Sequence, residues 1–79
     1  MLLNGCQLQA ARALADLTQG ELARLCGLRQ NTISNLEKKK HTALSGSTVN
    51  TLIKIEQTLN AHHVVLIDDN GIGAVRRIT

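Results

Sequence analysis

"LTQGELARLCGLRQNTISNLEKKK", residues 17–40, is the stretch on which the fold turns. It opens with a helix-start device. Thr18 is placed to cap, Glu21 to reach back three residues later, and Leu17 and Leu22 to clasp across the turn. The helix that follows is short and ends near Cys26, because Gly27 is a stop signal. A second helix is expected over roughly 30–38. At 100° per residue, Gln30, Asn31, Ser34, Asn35 and Lys38 fall within an arc of about 140°. Thr32, Ile33, Leu36 and Glu37 take the opposite arc. One face is therefore amides, a hydroxyl and a lysine, and the other belongs to a core. Only two of the twelve residues 29–40 are apolar, and the segment closes on Lys38, Lys39 and Lys40.

Working outward, "LNGCQL" at 3–8 repeats the helix-start pattern. Asn4 is the cap, Gln7 the reciprocal partner, and Leu3 and Leu8 the clasp. The first helix runs to about residue 15, with Leu8, Ala11, Leu14 and Ala15 on one face. Beyond the lysines, "HTALSGS" reads as a loop. Ser47 is a plausible cap for a fourth helix over about 48–60, where Leu52, Ile55 and Leu59 keep a helical period. Then the period changes. "VVLI" at 64–67 is β-branched and aliphatic, "DDNGIG" holds an Asn-Gly turn, and "AVRRIT" is the return strand. With Asn70 and Gly71 as the turn, Leu66 faces Val75 and Ile67 faces Ala74. The expected fold is mainly α: four helices with a short C-terminal β-hairpin, divided as 1–61 and 62–79. Both faces of the hairpin carry apolar residues, whereas a hairpin with one wet face should alternate. The helices can cover one face. Val64, Val65, Leu66, Ile67 and Val75 are therefore expected to form a dimer interface.

Composition sets the limits. Seventy-nine residues make one small domain, for which oligomerisation is a common remedy. The absence of Phe, Trp and Tyr leaves an aliphatic core and removes aromatic stacking on bases as a binding mode. A net charge of +3 fits a polyanionic partner. No apolar run is long enough to span a membrane, and no signal peptide is visible, so a cytoplasmic location is expected. Cys6 and Cys26 fit neither a disulfide framework nor a zinc site and read as packing residues. His41, His62 and His63 lack a second ligand at metal-binding spacing. No nucleophile–base pair or phosphate loop stands out. A non-enzyme without metal or cofactor is expected.

Amides that bond bidentately to adenine, with short polar groups beside them, are what a helix reading the major groove needs. A short helix, a tight Gly turn and such a helix make the helix-turn-helix arrangement. At these residues the chain resembles the Cro/C1-type (XRE) helix-turn-helix family. The matching pieces are "LTQGELA", Gly27, "NTISNLE" and Arg12, within roughly residues 4–60. The tail "LNAHHVVLIDDNGIGAVRR" is similar to the extension of one bacterial subgroup.

The resemblance implies roles. Gln30, Asn31 and Asn35 align with base-reading positions, with Ser34 on the same face. Thr32 aligns with a position that touches the DNA backbone or helps at the base edge. Gln19 opens helix 2, whose N-terminus anchors a phosphate in family members. Lys38 and Lys40 align with phosphate contacts; Lys39 stands beside them. Arg12 and Glu37 match a structural ion pair between helices 1 and 3. Two positions depart from the pattern. Arg29 stands where the family puts a Ser or Thr cap; it can instead reach a phosphate or a guanine edge. Lys39 stands where a Gly often ends helix 3, so the helix could run on. The implied function is a homodimeric, sequence-specific regulator of transcription in a bacterial or phage-infected cell, associated with the nucleoid. As a repressor, for instance of its own operon, it would bind a palindromic operator on double-stranded DNA. Phage or mobile-element regulators, antitoxins and anti-CRISPR-associated repressors share this style, and the residues do not choose among them. The competing class is a protein-interaction module, such as an antitoxin that holds a protein partner through the hairpin or helix 4.

Overall fold

The computed structural model describes residues 4–39, 49–69 and 72–78. The expectations placed on Leu3, Lys40, His41, Ser47, Asn70 and Gly71 lie outside the described residues. Four helices are followed by two strands: α1 (Gly5–Leu14), α2 (Gln19–Cys26), α3 (Gln30–Lys38), α4 (Val49–Ala61), β1 (Val64–Asp69) and β2 (Ile72–Arg77).

Each boundary has a local cause. Asn4 caps α1 by accepting from the Gln7 backbone N–H. α2 starts in a complete capping box. The Glu21 N–H donates to the Thr18 hydroxyl at 3.1 Å, and the Thr18 N–H donates to Glu21 Oε1 at 3.0 Å. Gly27 ends α2 in the left-handed region at φ 71, which glycine enters without steric cost. α3 stops at Lys38. Lys39 follows as its C-cap with ψ 41, outside the helical range, so the helix ends at Lys38 and does not continue through Lys39.

The core is aliphatic. Leu8 and Ala11 of α1, Leu22 and Ala23 of α2, Ile33 and Leu36 of α3, and Ile55 and Leu59 of α4 are all buried in one cluster. Leu14, expected on the buried face of α1, is exposed instead. α1 ends there, Asp16 turns the chain at φ 58, and Leu17 packs against the cluster.

β1 and β2 pair antiparallel, with Leu66 opposite Val75 and Ile67 opposite Ala74. The hairpin packs on α1 and α4. Its inner face joins the core: Val64 is 0% and Leu66 5% exposed. Both were expected at a contact between chains, and here the same chain buries them. Val65 and Ile67 point to the other face, since side chains alternate along a strand. They and Val75 are half-buried, and Val75 packs against the core.

Candidate nucleic-acid interface

α3 carries the site, and its far end is tied down. Arg12 of α1 grips Glu37 with both arms of its guanidinium: Nε donates to Oε2 at 2.8 Å and Nη2 to Oε1 at 3.1 Å. Arg12 Nη1 donates to the Leu17 carbonyl at 2.9 Å. Gln19 Nε2 adds a 3.0 Å bond to Glu37 Oε1. Glu37 is 7% exposed, so a carboxylate with little water is met by charge and by three donated hydrogen bonds. Two-armed contact with a planar partner is what arginine supplies and lysine does not.

The same end of α3 lies against the start of α1. A Cβ on Gly5 would stand 2.5 Å from the Leu36 carbonyl oxygen and 2.7 Å from that of Glu37. Glycine is required there by backbone approaching backbone.

The other arc of α3 faces outward. Gln30, Asn31, Asn35 and Lys38 are exposed, and Ser34 is half-buried. The side chains of Gln30, Asn31, Ser34 and Asn35 make no hydrogen bond with any described residue. Arg29 and Lys39 are exposed at the two ends of the helix, and Thr32 is half-buried. Arg29 gives α3 no side-chain cap, as its chemistry requires. Gln19 is half-buried, and its side chain is engaged with Glu37. At the start of α2, hydrogen bonds from the Thr18 backbone and side chain hold the Glu21 carboxyl below its ordinary value, and Arg24 adds to this.

The sequence reading missed the part played by two positions of α1. One is Gly5. The other is Gln7, which is 2% exposed and whose Nε2 donates to the Ile67 carbonyl at 3.2 Å and the Ala74 carbonyl at 3.0 Å. The side chain expected to close a capping box on Asn4 is thus bound across both strands of the hairpin. A signal existed: Gln7 stands four residues before Ala11, on the buried face of α1.

A short helix, a left-handed Gly turn and a second helix with an unpartnered polar face define a helix-turn-helix protein. The helix-turn-helix family profile of Cro/C1 type matches residues 8–66, and the chain belongs to that family. It is accordingly a DNA-binding regulator of the XRE type. No curated protein matches the chain significantly. Among the described residues no helix is long and apolar enough to cross a membrane.

Proposed function

We propose that the chain is a sequence-specific repressor that binds an inverted repeat as a homodimer, with α3 in the major groove. Gln30, Asn31, Ser34 and Asn35 read base edges. Arg29, Thr32, Lys38, Lys39, Lys40 and the start of α2 at Gln19 hold phosphates. The observation that carries the reading is the division of α3. One face is packed and bonded through Glu37, while the other presents amides and a hydroxyl that no described residue engages. An amide left without an internal partner keeps donor and acceptor together for adenine. The dimer contact is assigned to the outer hairpin face, Val65 and Ile67, and to the strand edge, which invites pairing.

Selection from a random duplex library tests the whole reading. Two inverted half-sites should emerge, with centres roughly one helical turn apart. Asn31→Ala should then cost about 1–3 kcal/mol on the selected site and relax one base position. Recovery of no preferred sequence would sink the proposal.

A second reading has its own observation. Val49 and Ile53, one turn apart on α4, are 66% and 44% exposed. An uncovered apolar strip of this kind suits a protein partner, as an antitoxin would need. Val65→Lys with Ile67→Lys, set against Ile53→Lys, separates the two surfaces by light scattering. Loss of the dimer in the first variant alone assigns self-association to the hairpin.

A further inference from the structure

Gly20 is the second residue of α2, and neither common reason for a helical glycine applies to it. Its φ is not positive, in contrast to Gly27. Among the described residues, no backbone from another element approaches it, in contrast to Gly5. Among the described residues, an ideal Cβ at Gly20 would meet only one neighbour within 4 Å, the Gln30 side chain, at 3.3 Å from Oε1 and 3.8 Å from Cδ. A glycine inside a helix is otherwise a liability, because alanine gives up less conformational freedom there.

We infer that Gly20 is a specificity-determining position: its missing side chain is the seat that aims the Gln30 carboxamide at the DNA. Gln30 opens α3, is exposed, and has no hydrogen bond to a described residue, so nothing else described fixes the direction of its amide. A two-pronged contact to a base needs donor and acceptor held in the plane of that base. The flat surface over the Gly20 Cα supplies a wall on one side. A methyl group there pushes the carboxamide away by a few tenths of an ångström or turns it. Gly20 would touch no base itself; it acts by positioning Gln30. The inference rests on the reading of Gln30 as a base contact.

Base preference is measured by quantitative selection on duplexes for wild type, Gln30→Ala, Gly20→Ala and the double variant, with thermal unfolding in parallel. Gln30→Ala should lower discrimination at one base pair by about tenfold, the scale of one amide–base contact. Gly20→Ala should lower it at the same pair by a few-fold, with a Tm equal to or above wild type. In the Gln30→Ala background, Gly20→Ala should change nothing further. If Gln30→Ala alters preference and Gly20→Ala does not, the seat is refuted while base reading by Gln30 stands. If Gln30→Ala itself leaves preference unchanged, base reading by Gln30 falls and the seat with it. A Gly20→Ala effect that persists without Gln30 would also overturn the inference, since it would act through something other than that side chain.

Discussion

The starts of α2 and α3 lie eleven residues apart in the chain and are built in opposite ways. α2 begins in a closed exchange of hydrogen bonds between Thr18 and Glu21. α3 begins at Arg29 with no side-chain cap at all. The first helix is finished by its own sequence. The second is held from behind, at Glu37, by Arg12 and Gln19, and by the close approach of Gly5 to its last carbonyls. A helix can therefore be ordered without a good start when its far end is anchored, which leaves its leading end in solvent.

The strongest way to break this contrast is at the anchor. Glu37→Ala should destabilise by about 3–5 kcal/mol in denaturant titration, because the Arg12 charge loses its buried partner. Arg12→Ala should act in the same direction, and the double variant should cost less than the sum. A loss at Glu37 no larger than that at Thr18 would refute the idea that α3 is held from its far end.

Next comes the approach at Gly5. Gly5→Ala places a methyl carbon against two carbonyl oxygens that cannot swing aside. Overpacking of that order costs about 1–3 kcal/mol, and chemical denaturation reads it.

The capping box should matter less. Thr18→Ala should cost about 1 kcal/mol. It carries a pH signature as well. Glu21 has its carboxyl value lowered in the folded chain, so its contribution is present above the unfolded carboxyl value. It is lost as pH falls through the lowered, folded value. Thr18→Ala should flatten that part of the stability profile in acid, and an unchanged slope would separate Glu21 from the box.

The smallest effect is a gain. Arg29→Ser supplies the missing cap and should raise stability by about 0.5–1 kcal/mol in thermal unfolding. An equal gain from Arg29→Ala would show that the cap is not the reason.

Much of this was legible in residues 17–40. The capping box, the Gly27 stop and the two faces of α3 are local patterns, and local patterns decide helix ends and amphipathicity. The hairpin register was legible for the same reason: the turn expected from the sequence implied Leu66 opposite Val75 and Ile67 opposite Ala74, the pairing the strands show. What was hidden depends on distant pairing. Gly5 looks like an ordinary small residue until α3 arrives against it. Gln7 looks like half of a capping box until two carbonyls 60 and 67 residues away claim its amide. Val64 and Leu66 read as surplus apolar surface because strand alternation does not say how deep the inner face sinks into the helices. The residues proposed to touch DNA carry an intermediate signal. The exposure of Gln30, Asn31, Asn35 and Lys38 followed from periodicity, and the roles proposed for them come from the family.

α1 touches both α3 and the hairpin, through Gly5 and Arg12 on one side and Gln7 on the other. It works as a caliper, a ten-residue rod about 15 Å long with one jaw on α3 and one on the strands. In the proposed dimer joined through its hairpins, the gap between the two α3 helices would be gauged by this rod rather than by the DNA. Substitutions at Gln7 would then register less as lost affinity for one half-site than as a changed tolerance for the number of base pairs between two, a quantity that duplexes with graded spacers measure directly.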